Sequence, residues 1–538
     1  MLTHVIAALA LAIAVPALPA TRAGAVGVGV GATAAVDGSA IDAAVRAYRD
    51  ATRIPGIAVA VVRGRTVLHA AGYGRTAAGA PVTDRTVLPI ASLSKSVTAL
   101  AVMQLVESGR IRLDAPVHDQ LPEFTMADER AATITVRQLL DHTSGMSDTT
   151  YRPVSGHSPT TPRELVASMR GARLAADPGS RFEYHNPNYQ VAARLVEVAG
   201  GQDFQAYLHE HVFAPLGMTD SRTVDTARDL PSGDGPGHRM LAGIALAVPE
   251  PPAFGNGSGG VLSTARDMAA WLIAQNGQGR GPDGTAVVSA ATIAAMHRPA
   301  AHRSYALGWT TGTTDSGTAV VDHTGGLITI TAYQALLPHL GYGIVVVSNA
   351  GSQYGDAPDL GARLIDLIEG RQQRPLPTPV PLICADLATF LLTAGTVTLA
   401  IRGIRRSPAW ARSHRLRRPA TVLRLLPYLI PALALAVPHR VVSWLYRGSD
   451  ISWVQAGYLY PAGTLLLLTT AVACLAVLGT RLLHATARTR AGTGRGRGSG
   501  SGAGSGSSAG SGAGSSAGSS SSVDGIDQNG PDRAAPGR

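Results

Sequence analysis

Three long apolar segments near the C-terminus most constrain how this chain can fold. They cover residues 382–401, 421–437 and 453–480, and a Pro-rich linker at 371–381 precedes them. About 20 apolar residues suffice to cross a bilayer as a helix. The segments therefore predict three transmembrane helices behind a separately folded N-terminal domain. The middle segment is short and contains an arginine and two prolines, so a re-entrant or interfacial helix is the alternative there.

Arginines are distributed unevenly around these segments. Seven lie in the connection between the first and second segments, against two in the next connection. Because cytoplasmic connections carry the excess of basic residues, we expect the first connection and the C-terminal tail in the cytoplasm. The N-terminal domain is then extracytoplasmic, and the chain is held in the cell membrane by lipid contacts of the three segments.

Both ends of the chain have the composition of segments that build no core. Residues 1–25 contain an apolar run followed by small residues, which predicts a secretory signal peptide, with an uncleaved anchor as the alternative. A signal peptide agrees with the topology that the arginines predict. Residues 490–538 are mostly glycine, serine and alanine, so we expect them to be disordered.

Residues 35–370 are predicted to form one globular α+β domain. Apolar patterning predicts strands at 56–62, 318–321, 329–337 and 343–348 and helices at 92–109, 135–140, 187–199 and 265–274. We expect the first and last of these strands to be neighbours in one sheet.

Charge and cysteine content exclude several functions for this domain. Residues 26–380 contain 28 basic and 31 acidic residues, a formal charge of −3, although the whole chain carries +10. Nucleic-acid binding is not expected, because it would need a basic face. The two cysteines, Cys384 and Cys474, lie in the apolar segments, which excludes a thiol nucleophile from the domain. We expect no cofactor and no metal.

Lys95 is the only lysine among the 46 basic residues of the chain. It lies three residues after Ser92, a spacing that places both side chains on one face of a helix. An arginine keeps its proton, whereas a buried lysine can lose it and act as a base. A serine beside such an amine is a candidate activated nucleophile. The alternative is a helix-capping serine beside a solvated lysine.

Two further motifs follow at long intervals, Tyr184-His185-Asn186 and, at 323–326, the sequence HTGG. With these motifs the chain resembles the serine β-lactamase and penicillin-binding-protein superfamily, whose motifs are SxxK, YxN or SxN, and KTG or HTG. The resemblance is closest to the branch that holds class C β-lactamases, D-alanyl-D-alanine carboxypeptidases and related esterases. It implies a β-lactamase/transpeptidase-like domain, with an antiparallel sheet flanked by helices and a helical subdomain.

The resemblance also implies roles for individual residues. Ser92 is expected to be the acylated nucleophile, Lys95 its base and Tyr184 a second proton shuttle towards the leaving group. Backbone N–H groups of Ser92 and Gly326 would form the oxyanion hole. The residues expected to bind substrate are Asn186, His323, Thr324, Gly325 and Gly326.

His323 stands where most β-lactamases of the superfamily have a lysine. A neutral histidine holds a substrate carboxylate less strongly than an ammonium, which argues against efficient β-lactamase action. One hypothesis is that a protonated His323 holds such a carboxylate. The segments at 139–145 and 305–309 also support the resemblance, and His142, in the first of them, is expected to be structural.

These features predict a membrane-tethered, extracytoplasmic serine hydrolase that forms an acyl-enzyme. Its partner would be a small-molecule or peptide substrate with an amide or ester bond, such as a D-amino-acid peptide, a small ester or a β-lactam. The alternative is a penicillin- or wall-peptide-binding sensor with little turnover that signals through the C-terminal segments. The low-complexity tail, without a recognisable output domain, argues against the sensor.

Overall fold

The structure is a computed structural model that describes residues 36–495 apart from 157, 231–236, 254, 301–302, 352–355, 415–418 and 447. The predicted signal peptide and the tail beyond Arg495 lie outside the described residues. The strands are β1 Gly56–Arg63, β2 Thr66–Gly74, β3 Leu88–Pro89, β4 Arg222–Thr223, β5 His238–Leu241, β6 Ile244–Ala247, β7 Val261–Ser263, β8 Thr310–Thr313, β9 Ala319–Gly326, β10 Thr331–Leu337, β11 Tyr342–Ser348 and β12 Ala350–Gly351.

The α-helices are α1 Gly38–Thr52, α2 Ser94–Glu107, α3 Val117–Gln120, α4 Val136–Leu140, α5 Pro162–Ser168, α6 Pro187–Gly200, α7 Phe204–Leu208, α8 Ala265–Asn276, α9 Ala290–Met296, α10 Ala357–Ile368, α11 Val380–Arg405, α12 Ser407–Ser413, α13 Pro419–Leu423, α14 Ile430–Ala436, α15 Pro438–Leu445, α16 Trp453–Leu459 and α17 Pro461–Arg495. Short 3₁₀ turns cover Ala91–Leu93, Glu129–Thr133, Met169–Gly171, Ala227–Asp229 and Leu426–Leu429, and a π turn covers His209–Phe213.

A six-stranded antiparallel sheet, in the order β2-β1-β11-β10-β9-β8, forms the centre of the N-terminal domain. β1 pairs with β11 along its length, with Ile57 opposite Ser348 and Arg63 opposite Tyr342. The expectation that these two strands are neighbours is therefore confirmed. Two three-stranded sheets, β12-β5-β6 and β3-β7-β4, lie outside the large sheet.

Successive side chains of β1 point to opposite faces of the sheet, and each face has its own layer of core. Ile57, Val59 and Val61 pack with α1 and α10 on one face of the sheet. Ala58 and Ala60 point to the other face, where apolar residues of α2, α8 and the helices between them form the larger core. Both sets are buried, because a central strand between two layers of helices exposes neither of its faces. The predicted α+β class, with a flanked sheet and a helical subdomain, is confirmed.

The helix predicted at 92–109 has two parts in the structure. A 3₁₀ turn covers Ala91–Leu93, and α2 begins only at Ser94. Ala91 has a φ of 51°, in the left-handed region that residues with a Cβ seldom adopt. α2 has apolar residues all round, so its first ten residues are buried and it forms a core element.

Within the described residues, three helical stretches of the C-terminal region are long and apolar enough to cross a membrane: Val380–Arg405, Pro419–Ala436, which comprises α13, a 3₁₀ turn and α14, and Pro461–Arg488. The third begins later than the predicted residue 453, because α16 is a separate helix that ends before Pro461. A proline, which has no N–H to donate, is well suited to begin a new helix. Residues 490–495, predicted to be disordered, continue α17 as helical backbone.

β9 lies close to the turn before α2 at Gly325, where a Cβ would lie 2.8 Å from the Ile90 carbonyl oxygen. We predict that Gly325→Ala pushes β9 away from this turn and lowers stability by roughly 1–3 kcal/mol, the usual cost of overpacking. Thermal unfolding of the detergent-solubilised chain would measure it. Gly326→Ala is the control, since a Cβ there meets no described atom within 4 Å. Equal stability of the two variants would contradict this prediction.

Candidate active site

Lys95 is fully buried, and three oxygen atoms surround its amine. Nζ lies 3.1 Å from Ser92 Oγ, 2.9 Å from Asn186 Oδ1 and 2.7 Å from the carbonyl oxygen of Ser258. A neutral amine has two N–H groups and one lone pair. Asn186 and Ser258 offer acceptors for both N–H groups, which leaves the lone pair for the Ser92 hydroxyl proton. The predicted serine–lysine contact is thus present in the structure.

Burial lowers the pKa of Lys95 well below its ordinary value. Among the residues that the structure describes, no carboxylate contributes to this shift or offsets it. A charged amine in such a place would be desolvated without an opposite charge. The neutral form is therefore favoured, and the amine can accept a proton.

Ser92 lies in the 3₁₀ turn that precedes α2 and is not part of α2 itself. Its side chain is partly exposed, whereas Ser94, two residues later, is buried. The Ser94 hydroxyl donates to the Ala91 carbonyl at 2.6 Å and accepts from the Val261 N–H at 3.0 Å. Ser94 therefore fixes the turn to β7, and Ser92 is left facing the cleft.

Tyr184 and Asn186 lie beside the lysine, as their motif predicts. The Tyr184 ring centroid is 4.8 Å from Lys95 Nζ. Tyr184 exposes 39% of its surface, yet burial raises its pKa above the ordinary 10, and the nearby Ser92 hydroxyl lowers it by less. The phenol therefore keeps its proton at neutral pH, and it lies where it can pass one on.

The His142 ring packs against Tyr184, with centroids 4.4 Å apart, and against Tyr305, at 4.9 Å. Its Nδ1 accepts from the His185 N–H at 3.2 Å and from the Asn188 amide at 3.0 Å. Burial is the main cause that lowers its pKa well below 6.5. His142 is thus a neutral ring that positions Tyr184.

His323 is also buried, and both of its ring nitrogens have protein partners. Nδ1 lies 2.7 Å from the Thr324 carbonyl oxygen, so it carries the proton, and Nε2 accepts from the Tyr305 hydroxyl at 2.9 Å. Burial is the main cause that lowers its pKa to about 3. The hypothesis of a protonated His323 that holds a carboxylate does not fit this geometry, because the ring is neutral and turned inward.

The edge of β9 beyond β8 is open towards Ser92. β8 pairs with β9 only as far as Asp322, so residues 323–326 have a strand partner on one side, β10. The Leu327 N–H donates to the Ile330 carbonyl across the hairpin. Since hydrogen-bonded pairs alternate in an antiparallel ladder, the N–H groups of Thr324 and Gly326 point away from β10, to the open edge. Both residues are exposed, whereas Gly325 is buried.

Ser92, Asn186 and Gly326 line one cavity of about 380 Å³. Among the described residues that line it, none is a lysine or an arginine. Its acidic lining residues are Asp148, Asp225, Glu250 and Asp450. Hydrogen bonds hold these carboxylates, and burial raises the pKa of Asp225, Glu250 and Asp450.

Several residues of this site were not predicted as functional from the sequence. Ser258 takes part through its backbone carbonyl, which no side-chain motif reveals. Tyr305 lies in the segment at 305–309 that supports the resemblance, but its contact with His323 depends on how the connection before β8 packs against β9. Asp148 accepts from His185 Nδ1 at 2.6 Å and so fixes the centre of the Tyr-His-Asn motif; a lone aspartate gives no such signal in sequence.

Comparison with known proteins agrees with this architecture. The family profile described as Beta-lactamase matches residues 41–367. Penicillin-binding protein 4 of Amycolatopsis lactamdurans is 32% identical over 271 residues, which are 47% of this chain and 68% of that protein. Protein flp of Staphylococcus aureus strain MW2 is 27% identical over 306 residues, 56% of this chain and 61% of that protein. The matched region thus spans only part of each relative.

Solved structures share the fold. The octameric penicillin-binding protein homologue from Pyrococcus abyssi superimposes with a TM-score of 0.54 at 25% identity, over 64% of this chain and 80% of that one. SurE superimposes with a TM-score of 0.51 at 23% identity, over 63% and 78%. The expected β-lactamase/transpeptidase-like fold is confirmed, and it is typical of serine hydrolases. The chain belongs to the beta-lactamase family.

Proposed function

We propose that this chain is a membrane-tethered serine hydrolase that forms an acyl-enzyme at Ser92. The observation that carries the proposal is the buried amine of Lys95, which lies 3.1 Å from Ser92 Oγ. Its two N–H groups have acceptors in Asn186 Oδ1 and the Ser258 carbonyl oxygen. A neutral amine at hydrogen-bond distance from a serine hydroxyl is an activated nucleophile–base pair.

In the proposed acylation step Ser92 Oγ attacks the substrate carbonyl carbon while its proton passes to Lys95 Nζ. The N–H groups of Ser92 and Gly326 stabilise the oxyanion that forms. As the tetrahedral intermediate collapses, the bond to the leaving group breaks, and Tyr184 donates its hydroxyl proton to that group and regains one from Lys95. Water then attacks the ester carbon and gives a proton to Lys95 Nζ. The bond between that carbon and Ser92 Oγ breaks, Oγ takes the proton back from Lys95, and the acid product leaves.

Two features support an amide or ester substrate with an extended segment beside the scissile bond. The open edge of β9 offers unpaired N–H groups to such a segment, in the way a sheet edge accepts a further strand. The carboxylates in the cavity lining disfavour an anionic group there. A small ester, or a D-amino-acid peptide whose bound part carries no free carboxylate, therefore suits the site better than a β-lactam with its carboxylate.

The proposed topology places the catalytic domain outside the cytoplasm. One structural observation supports the arginine distribution: the connection between the second and third membrane helices contacts this domain, as when the Val154 N–H donates to Asp450. That connection and the domain therefore lie on one side of the membrane. The same topology puts the arginine-rich first connection, at 406–418, and the tail in the cytoplasm.

The nucleophile and its base can be tested together with a neutral p-nitrophenyl ester and a fluorophosphonate probe. The wild-type chain should turn over the ester repeatedly after its acylation burst, and Ser92→Ala should lose both activity and covalent labelling. Lys95→Met should lower the acylation rate by roughly 10²-fold or more, the usual contribution of a general base. Methionine is chosen because arginine would bury a permanent charge.

Ser94→Ala is the matched control, since Ser94 bonds only within the fold; it should label even if its stability falls. Labelling of Ser92→Ala at the wild-type rate would refute the assignment. A single equivalent of product released, without further turnover, would instead indicate the sensor.

The buried His323 generates a second prediction, on pH dependence. A pKa lowered to about 3 keeps the ring neutral at every pH above that value. Between pH 5.5 and 8.5 the ratio of kcat/KM for an acidic and a neutral ester should therefore follow the same curve in wild type and in His323→Gln. A wild-type curve that inflects near about 6.5, the ordinary pKa of histidine, and loses the inflection in His323→Gln would show that the ring reads the carboxylate.

A further inference from the structure

The connection between the second and third membrane helices returns to the active-site cleft. The Asp450 carboxylate accepts hydrogen bonds from the Val154 N–H at 2.6 Å and the Ser155 N–H at 3.1 Å, and from the Ser155 hydroxyl. The Asp450 N–H in turn donates to Asp148 at 2.9 Å. Asp148 is the carboxylate that holds His185. One end of the connection is therefore fixed to the wall of the cleft that carries the Tyr-His-Asn motif.

The other end of the same connection is fixed to the opposite wall. The Leu459 carbonyl, at the end of α16, accepts from Arg239 Nη2 at 3.1 Å. Arg239 Nη1 also donates to the Ile328 carbonyl at 3.1 Å and to the Gly351 carbonyl at 3.0 Å. Ile328 lies two residues beyond Gly326 in the β9–β10 hairpin, and its N–H donates to Glu250 at 2.8 Å.

Residues 450–459, called here the bridging segment, therefore join both sides of the cleft. Asp450 and Gln455 of this segment line the same cavity as Ser92. Gln455 is itself held in place, because it forms a reciprocal cap with Ser452 at the start of α16. A helix fixed at both ends and within its first turn resists displacement by a substrate.

We propose that the bridging segment is a specificity-determining wall of the cleft, supplied by the membrane part of the chain. It holds the walls at a fixed separation and so limits the size of the acyl group that Ser92 can accept. The inference rests on the proposed function and deepens it, since it predicts that substrate selection depends on a residue outside the family domain. Asp450 fixes this wall, and its loss would let the two sides separate.

The experiment uses the full chain in detergent and two p-nitrophenyl esters, the acetate and the dodecanoate. Asp450→Ala should raise the ratio of kcat/KM for dodecanoate over acetate by roughly tenfold or more, the scale on which pocket shape discriminates. The matched control is Asp386→Ala. Asp386 also joins the membrane part to the domain, by accepting from the Ala242 N–H at 2.7 Å, but it does not line the cavity.

An unchanged ratio in an active Asp450→Ala, or an equal rise in Asp386→Ala, would overturn the inference. Failure of the proposed function is distinguishable, because the wild-type chain would then turn over neither ester.

Should Asp450→Ala fail to fold, a Ser155→Cys/Asp450→Cys pair, in a chain with Cys384 and Cys474 replaced by serine, tests the wall directly. The oxidised pair should form a disulfide. Compared with the same pair in its reduced form, it should show lower dodecanoate turnover and unchanged acetate turnover. Absence of the disulfide, or equal loss for both esters, would contradict the wall.

Discussion

A buried amine with no acidic partner among the described residues is the constraint on which the rest of this site depends. Water must be excluded from Lys95, so α2 has to lie in the core. The groups around the amine then have to supply its hydrogen-bond partners. They come from three separate parts of the chain, through Ser92, Asn186 and Ser258. Below about pH 10.4 the lysine is protonated in the unfolded chain, whereas burial opposes its protonation in the folded chain. The free-energy cost of burying it therefore grows as pH falls towards the lowered pKa.

Much of this arrangement follows from local sequence. The spacing of Ser92 and Lys95 fixes their contact, because three residues make almost one helical turn and even the tighter 3₁₀ turn preserves it. The strands β1 and β11 are continuous apolar runs, as expected for central strands covered on both faces. A helix that is apolar all round, such as α2, has to be buried. These are properties of single elements, and sequence patterns report them well.

Other features depend on contacts between distant parts of the chain. The inward turn of His323 follows from its pairing with Tyr305, on the neighbouring connection. The left-handed conformation of Ala91 has no signal in the sequence, because alanine seldom adopts it. The bond of Asp450 to Ser155 spans 295 residues. A continuous run of apolar residues does not show where the bridging segment ends and the third membrane helix begins. Pro461 marks that place.

The state of the Lys95 amine can be measured directly, because the chain has one lysine. Protein grown with lysine labelled with ¹³C at Cε should give a single lysine resonance, absent from Lys95→Met, whose chemical shift follows protonation of the amine. We predict a titration midpoint well below the ordinary value of about 10.4. A midpoint near that value would show that Lys95 is protonated at neutral pH and would contradict its role as the base of Ser92.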